Sequence, residues 1–298
     1  MLERLSALGH RVVGCDIYPK EWNIAACESD VFFQAVEATD AIGYLEQLLE
    51  MVEREQVDYL IPLTDVEVDV LCAAKERFAA LGCTVCTPNE PAVCLCRNKL
   101  AMADKLAADR LCRTIPTISP YGWMPKEFPL LLKPVRGRSS QGQVVVRSSD
   151  AFFAALQERD DYIAQPFMEG DVFTVDVARD VHGNVQALAR REFLRTVNGL
   201  GVTVRILPGH ILEDVCAGIA ACVDIVGVVN MEFIHHGGDY FFLEVNPRFS
   251  GGVGFSMLAG VDFPALNLRC HSGDAIGKRA DIYEMTLTRS IRMVQTGG

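Results

Sequence analysis

Residues 241–252 have the sequence FFLEVNPRFSGG, and the polar side chains in this stretch decide how the rest of the chain is interpreted. A carboxylate and a carboxamide two residues apart on a β-strand can offer hard oxygen ligands to one Mg²⁺ ion. For this stretch alone, the alternative is an ordinary edge strand with a polar outer face. The period of two of a strand predicts a core face and a polar face, formed respectively by Phe241, Leu243 and Val245 and by Phe242, Glu244 and Asn246.

Size and composition exclude several classes of protein. The chain has 298 residues, of which 50% are hydrophobic, so it can bury a large core and is expected to form two or three domains. No run approaches ~18 apolar residues and no signal-peptide pattern opens the chain, which predicts a cytoplasmic protein without a membrane span. The net charge of −11 argues against binding to nucleic acid.

The eleven cysteines do not indicate disulfides or zinc. Their number is odd, no secretion signal precedes them, and they are scattered through apolar segments. Cys83 and Cys86 form a C-x-x-C pair, but no second pair stands at zinc-site spacing. Buried, reduced thiols are therefore expected.

The first part of the chain alternates between strand and helix patterns. Strands are predicted at 11–18, 31–36, 57–64 and 83–87, with helices at 40–55 and 66–81 between them. This alternation predicts a parallel sheet with helices on both faces. Because a doubly wound domain usually opens with a strand and a Gly-rich turn, and this sequence starts within a helix, we expect a domain without its first strand, either because the sequence is truncated or because the domain lacks that strand.

The middle of the chain carries two conspicuous lysines. Residues 88–113 have a helical pattern with a turn near Arg97 and Asn98, and Lys99 stands at the start of the second helix. Lys133 lies in the apolar strand 129–135, where a charged group must either emerge at a sheet edge or meet an anion. The loop 136–142 that follows could close over phosphate groups, although an exposed hairpin tip is the alternative.

The last strand pair is predicted at 227–234 and 240–248, joined through HHGGD as a hairpin. If the loop holds an odd number of residues, Glu232 lies directly opposite Glu244. Two adjacent carboxylates on one face repel each other unless a cation lies between them. An extended segment at 165–168, with Phe167 and Met168, suits the edge and face of a purine.

These motifs, taken in order, resemble the ATP-grasp superfamily. The resemblance spans about residues 90 to 270 and is closest to the amino-acid ligase and carbamoyl-phosphate synthase large-chain-like branch. It implies an α/β chain, α+β in the grasp part, in which a doubly wound parallel domain is followed by two α+β subdomains. The expected divisions are a Rossmann-like domain at 1–88, linking helices at 89–114, a small lid subdomain at 115–168 and a C-terminal subdomain with the metal site at 169–298.

The resemblance also implies a role for each matching residue. Glu232, Glu244 and Asn246 would hold Mg²⁺ or Mn²⁺, and Arg248 and Lys133 would act on the transferring phosphoryl group. Val172 stands where a glutamate often meets the ribose, so Asp171 or Glu169 takes that place here. Gln165 stands where an acid is common. The expected ATP-binding residues are Lys99, Lys133, Arg136, Ser139, Ser140, Gln165, Phe167, Met168 and Asp171.

The function that this resemblance implies is an ATP-dependent carboxylate–amine or carboxylate–thiol ligase that works through an acyl phosphate and releases ADP. Its partners would be a small-molecule carboxylate and an amine, with a homodimer as the candidate assembly. The alternative is an ATP-binding regulatory or partner subunit without ligase activity of its own. A generic fold that binds no nucleotide is a third interpretation. Arg190, Arg191 and Arg195 could meet a substrate carboxylate or phosphates, or could form surface ion pairs.

Overall fold

A computed structural model describes residues 1–137 and 141–296 as a mixed α/β protein. No helix within these residues is long and apolar enough to cross a membrane. Two short 3-10 turns, Lys20–Trp22 and Ile24–Ala26, follow the first strand. The α-helices are α1 (Leu2–Ala7), α2 (Ala41–Glu55), α3 (Asp65–Cys72), α4 (Lys75–Ala79), α5 (Glu90–Arg97), α6 (Lys99–Asp109), α7 (Ser149–Glu158), α8 (Ile211–Cys222), α9 (Val253–Leu258) and α10 (Phe263–Ser272). The β-strands are β1 (Val13–Asp16), β2 (Val31–Gln34), β3 (Tyr59–Leu60), β4 (Thr84–Val85), β5 (Arg113–Thr114), β6 (Leu130–Pro134), β7 (Val144–Val146), β8 (Tyr162–Pro166), β9 (Asp171–Arg179), β10 (Val185–Arg195), β11 (Gly201–Leu207), β12 (Gly227–His236), β13 (Asp239–Asn246) and β14 (Met285–Thr288).

A seven-stranded sheet forms the centre of the molecule, in the order β14-β11-β10-β9-β12-β13-β5. All neighbours in it are antiparallel except β5, which pairs in parallel with β13. Side chains alternate between the two faces, so each face packs against a different set of helices. One face packs against α5, α6 and α8. The other face packs against α9 and α10 at one end and leaves its remaining part uncovered.

The N-terminal part confirms the predicted parallel pairing, but as two separate pairs. β1 pairs with β2, and β3 pairs with β4. The strand expected at 57–64 is only Tyr59–Leu60, because Pro62 has no N–H to donate to a ladder and the chain then turns toward the Thr64 cap of α3. The helix expected at 66–81 is divided into α3 and α4, with a turn between them.

The linking helices are separated near Asn98, as predicted, but the second helix ends before Arg113, the residue to which it was expected to extend. Asn98 separates α5 from α6, and its side chain accepts a hydrogen bond from the backbone N–H of Ala101, which caps α6. The helix was expected to continue to Arg113, but Arg110 is left-handed at φ 54° and ends it. Arg113 and Thr114 instead form β5 at the edge of the large sheet.

A smaller sheet has the order β7-β6-β8 and carries α7. It lies within the range predicted for a lid subdomain, although the domain boundaries themselves stay predictions. Lys133 is on the central strand and is 4% exposed, so it does not emerge at a sheet edge. The second alternative for this lysine, an anionic partner, is the one that remains.

A one-residue bulge in the β12–β13 hairpin sets the register at its open end. His236 pairs with Asp239 around the two-residue turn Gly237–Gly238, so the loop is not odd. Phe233 pairs with Phe242, but Glu232 pairs with Glu244, and Leu243 is therefore the extra residue. Glu232 and Glu244 lie opposite each other as expected, for a different reason from the one proposed.

The bulge also corrects the faces expected for the 241–252 stretch. Phe242 and Val245 both lie in the core that α5, α6 and α8 cover, whereas Leu243, Glu244 and Asn246 line the uncovered face. The expected grouping of Leu243 with Val245, and of Phe242 with Glu244, is wrong. A strict alternation fails here because two residues of β13 stand opposite one residue of β12.

The cysteines are all free, as expected, but not all are buried. Cys83 and Cys86 are buried and hold no disulfide. Cys27 and Cys94 are exposed, contrary to the expectation that every thiol is covered. Burial raises the pKa of the Cys83 thiol to about 11, so this thiol is protonated and unreactive at neutral pH.

Close backbone packing at the start of β9 gives a direct test of the sheet. A methyl group on Gly170 would lie 2.1 Å from the backbone oxygen of His235, so we expect Gly170→Ala to lower the free energy of unfolding by more than about 2 kcal/mol. Gly218 lies within α8 and has room for a methyl group, so Gly218→Ala should stabilise by roughly 0.5–1 kcal/mol. Urea unfolding measures both, and equal effects would contradict this packing.

Candidate functional site

A cleft of about 540 Å³ lies over the uncovered face of the large sheet and is bounded by the small sheet. The register of β12 and β13 places a row of polar side chains on its floor, and β6 and β8 provide the opposite wall. The cleft brings together these predicted site residues: Lys133, Gln165, Phe167, Met168, Glu232, Glu244, Asn246 and Arg248.

The floor of the cleft carries two facing carboxylates and two amides. Glu232 lies opposite Glu244, and Asn230 lies opposite Asn246 two pairs further along the same ladder, on the same face of the sheet. The Asn246 side-chain amide donates to Glu244 Oε1 and to Asn230 Oδ1, each at 3.2 Å. These bonds use the Asn246 nitrogen and leave its oxygen for another partner.

Each carboxylate has a cationic neighbour from a distant part of the chain. Arg195 donates to Glu232 Oε2 at 2.9 Å, and Lys99 Nζ lies 3.5 Å from Glu244 Oε2. Burial raises the pKa of Glu232 above its ordinary value, and Arg195 only partly opposes this. Burial would also raise the pKa of Glu244, but Lys99 and Lys133 hold it below its ordinary value. The pKa values of the two facing carboxyl groups are therefore shifted in opposite directions, so Glu244 loses its proton at a lower pH than Glu232.

Lys99 and Lys133 are brought together by the backbone. The N–H of Lys99, the first residue of α6, donates to the Val135 oxygen just beyond β6 at 3.2 Å. The Lys99 ammonium also donates to the Gly137 oxygen at 3.3 Å. Burial lowers the pKa of Lys133 to about 8, against the opposing attraction of Glu244. Two cations thus face the carboxylate pair from the small-sheet side of the cleft.

The donor set on the floor fits a small divalent cation such as Mg²⁺. Glu232, Glu244 and Asn246 offer carboxylate and carboxamide oxygens on two adjacent strands, which are the hard ligands that Mg²⁺ prefers. Within residues 1–137 and 141–296, no three His, Cys, Asp or Glu side chains gather around one point. Such a site would therefore need an amide and non-protein oxygens, for example phosphates, to complete its coordination.

The wall near β8 is apolar around one oriented amide. Gln165 is 4% exposed, and its nitrogen donates to the Thr117 hydroxyl at 2.7 Å. Gln165 is one of the residues that line the cleft, and its Oε1 is buried without a hydrogen-bond partner among the described residues. The surrounding apolar side chains include Ile115, Leu131, Val145, Phe167, Met168 and Leu243.

The three arginines singled out from the sequence lie in different settings. Arg190 is buried and donates to Asp176 at 2.5 Å, to Glu192 at 3.0 Å and to the Ser250 hydroxyl at 3.1 Å. It is therefore held in a network beneath the cleft and is not the surface pair that the sequence suggested. Arg195 lines the cleft and donates to Glu232. Arg191 is not among the cleft residues, and it donates to the Asp171 carboxylate over 2.7 Å.

Several predicted residues lie outside the wall of the cleft. Asp171 is engaged with Arg191, which leaves the expected ribose contact without support from the geometry. Arg136 is exposed at the base of the loop. Lys99 does not line the cleft itself, but its ammonium lies beside Glu244, which does. Ser139 and Ser140 lie outside the residues that the structure describes.

Sequence reasoning missed one contact that joins the N-terminal part to the cleft. Arg248 NH2 donates to Asp65 Oδ2 at 2.7 Å, and Asp65 is 2% exposed. The available signal was the T-x-x-E pattern of Thr64 and Glu67, a capping box that starts α3 directly after β3. That pattern locates Asp65 at a helix start but says nothing about its partner.

Two family models match separate parts of this chain. The model described as "ATP-grasp in the biosynthetic pathway with Ter operon" matches residues 158–296. The model described as "PylC-like, N-terminal domain" matches residues 4–86. The first match contains the carboxylate pair and Arg248, and the second contains Asp65.

Curated relatives are similar over part of their length. A biotin carboxylase from Haemophilus influenzae is 27% identical over 175 residues, which cover 52% of this chain and 39% of the relative. A formate-dependent phosphoribosylglycinamide formyltransferase from Corynebacterium glutamicum is 27% identical over 248 residues, 73% of this chain and 58% of the relative. The chain thus spans less than two thirds of the length of these relatives.

Solved structures share the fold at low identity. The biotin carboxylase domain dimer of a 2-oxoglutarate carboxylase from Hydrogenobacter thermophilus, in complex with MgADP, ADP and bicarbonate, has a TM-score of 0.77 at 16% identity. The match covers 94% of this chain and 68% of that one. An L-amino acid ligase from Bacillus licheniformis has a TM-score of 0.71 at 16% identity and covers 91% and 70%. These likenesses extend over the described N-terminal part as well as the two sheets.

The buried arginine network beneath the cleft should dominate local stability. Asp176→Asn removes one carboxylate from Arg190, whose side chain is 2% exposed, so we expect a loss of roughly 3 kcal/mol in the free energy of unfolding. Asp171→Asn, on the same strand, breaks an exposed pair with Arg191 and should cost less than about 0.5 kcal/mol. Similar losses in chemical denaturation would show that burial does not control these pairs.

Proposed function

Because this chain belongs to the ATP-grasp superfamily, we propose that it is an ADP-forming ligase that joins a carboxylate to an amine or a thiol through an acyl phosphate. The relatives named above act on small molecules, and this chain is proposed to do the same. The identity of its carboxylate and its nucleophile is left to a substrate screen. The homodimer and the cytoplasmic location stay predictions.

The single observation that carries the proposal is the Glu232–Glu244 pair with its flanking cations. Two partly buried carboxylates directly opposite each other on one face of a sheet repel each other unless positive charge lies between or beside them. Lys99 approaches from the start of α6 and Lys133 from β6, and the amide oxygen of Asn246 is available beside the pair. This set matches the needs of a metal–triphosphate complex, in which cation and anion alternate.

Each residue has a distinct part in this proposal. Glu232, Glu244 and Asn246 would hold Mg²⁺, or Mn²⁺ in its place, which neutralises charge on the phosphates when bound. Lys133 would bind a phosphate oxygen, and Arg248 would stabilise the charge on the transferring phosphoryl group. No covalent protein nucleophile is needed, because the substrate carboxylate attacks the γ-phosphorus directly.

The apolar wall is proposed to hold the adenine. Thr117 holds the Gln165 amide through its nitrogen, and the Gln165 oxygen, which has no partner among the described residues, would accept a hydrogen bond from the 6-amino group. Phe167 and Met168 would pack against the purine ring.

A substrate-dependent release of ADP tests the proposal. We expect ADP and phosphate to form from Mg-ATP in the presence of one carboxylate from a screen of amino acids and small acids. Glu244→Gln should lower this rate at least about 100-fold, because it removes one of the two carboxylates that would hold the Mg²⁺ ion against the phosphates. Glu284→Gln, which alters an exposed pair with Arg205, is the matched control and should retain the rate.

The outcomes separate the alternatives. Full turnover by Glu244→Gln would exclude the proposed site. Tight Mg-ATP binding without turnover on any carboxylate would favour an ATP-binding regulatory or partner subunit. Failure of Mg-ATP to raise the melting temperature at concentrations far above a typical Kd would favour a fold without nucleotide function.

The protonation state of Lys133 predicts a pH dependence of nucleotide binding. Its pKa is lowered to about 8 by burial, so the ammonium is present below this pH and is lost as the pH rises through it. We expect Mg-ATP affinity to fall by up to about tenfold between pH 7 and pH 9. Calorimetry on the Lys133→Met variant should show weaker binding whose affinity no longer falls between pH 7 and pH 9. If the variant keeps the pH dependence of the original protein, a group other than Lys133 causes it.

A further inference from the structure

The N-terminal part of the chain reaches the cleft through one buried carboxylate, that of Asp65. This residue begins α3, where the helix N-terminus favours a negative charge, and it is 2% exposed. Its Oδ2 accepts from Arg248 at 2.7 Å, and its Oδ1 lies 3.3 Å from Arg97 NH1. Asp65 and Arg248 are 183 residues apart in the sequence and fall within different family matches.

Arg248 is held at two points and faces the cleft. The guanidinium nitrogen Nη2 donates to Asp65, and Nη1 donates to the backbone oxygen of Phe249 at 3.0 Å. Its Nε is buried without a hydrogen-bond partner among the described residues. Because Phe249 is the next residue and turns with Arg248, Asp65 is the contact that fixes the guanidinium relative to the rest of the protein.

The same carboxylate is connected to the base of the loop above the cleft. Arg97, at the end of α5, contacts Asp65 and donates through NH1 to the Gly137 oxygen at 3.3 Å. Lys99 donates to the same oxygen and approaches Glu244. The groups from Asp65 to Glu244 thus form one continuous chain of contacts around the cleft.

Stability alone is a poor reason for this arrangement. Burying two charges costs desolvation that their attraction often fails to recover, so a buried pair is weak evidence for a stabilising role. Another ion pair, Arg4 with Asp262 at 2.6 Å, already joins the N-terminal part to the start of α10, with its side chains 41% and 29% exposed. The Arg4–Asp262 pair can hold the two parts together with little loss of hydration. The more deeply buried Asp65–Arg248 pair, in contrast, also fixes the orientation of the Arg248 guanidinium.

We infer that Asp65 is a positioning residue that aims Arg248 at the terminal phosphoryl group of the bound nucleotide. The N-terminal part would then be a functional component of the nucleotide site. This inference rests on the role proposed above for Arg248. It also accounts for the choice of a carboxylate at a fully buried position, where an apolar residue would pack at lower cost.

The test compares a nucleotide that has a γ-phosphoryl group with one that lacks it. Asp65→Glu keeps the charge but moves the carboxylate by one methylene, so the potential at the phosphates is nearly retained while Arg248 is displaced. We expect the affinity for Mg-AMP-PNP, relative to Mg-ADP, to fall by roughly threefold to tenfold, the effect of losing one preordered side chain. Asp69→Glu is the matched control, because Asp69 lies on the same helix and pairs with Arg97 but not with Arg248.

A second variant covers the case in which the longer side chain prevents folding. Asp65→Asn has the same shape and removes the charge. Loss of the charge raises the positive potential felt by both nucleotides, so the ratio of the two affinities largely cancels this effect. The ratio should again fall, while Asp69→Asn leaves it within about twofold.

Arg248→Ala separates this inference from the proposed function. We expect Arg248→Ala to lower the ratio of the Mg-AMP-PNP affinity to the Mg-ADP affinity. Adding Asp65→Glu to this variant should lower the ratio no further, since both substitutions act through the Arg248 guanidinium. A lower ratio in Arg248→Ala with an unchanged ratio in both Asp65 variants would overturn the inference and leave the function intact. An unchanged ratio in Arg248→Ala would overturn the role of Arg248 and of Asp65 together, and absence of nucleotide binding would overturn the function itself.

Discussion

The register of one β-hairpin is the constraint on which the site depends. Without the extra residue at Leu243, the two-residue turn at Gly237–Gly238 would continue the pairing so that Leu243, and not Glu244, stood opposite Glu232. The bulge moves the pairing by one residue and brings two carboxylates together on a face that no helix covers. It also keeps Phe242 and Val245 in the core on the opposite face. A single bulge thus satisfies packing and places the charges.

Two facing carboxylates impose requirements on the rest of the molecule. They need positive charge, and none of the neighbouring positions on β12 or β13 supplies it within the strands themselves. The cations come instead from the end of β10, from the start of α6 and from the middle of β6. The small sheet and the linking helices are therefore tied electrostatically to the large sheet. The same logic extends to Asp65, which brings the N-terminal part into contact with Arg248.

Local sequence patterns predicted the parts of this site whose partners are near in sequence or share a period. Glu244 and Asn246 were found because residues two apart on a strand share a face, and a turn was expected near Asn98, where α5 ends and α6 begins. Glu232 was placed opposite Glu244 on the assumption of an odd loop, which the structure replaces with a bulge. The resemblance to a known family added Lys99 and Lys133, which the cleft brings close to Glu244. The ribose contact of Asp171 stays a prediction, because its carboxylate accepts from Arg191 and it is not among the residues that line the cleft. Neither β5 nor β14 was anticipated, because each is short and is defined by its neighbour in the sheet.

The sequence by itself determined the class of the fold, the order of the motifs and the polar residue types on the strand that is proposed to hold a metal, because these depend on side-chain period and residue type. It also determined that Lys133 needs an anion or an edge, since a buried ammonium has no other stable setting. Only the tertiary structure decided between the two, by placing β6 at the centre of its sheet. The bulge at Leu243, the burial of Arg190 and the pairing of Asp65 with Arg248 were likewise decided there. The physical reason is common to all of them, since each depends on which distant groups share a desolvated space, and no local pattern of residues encodes that.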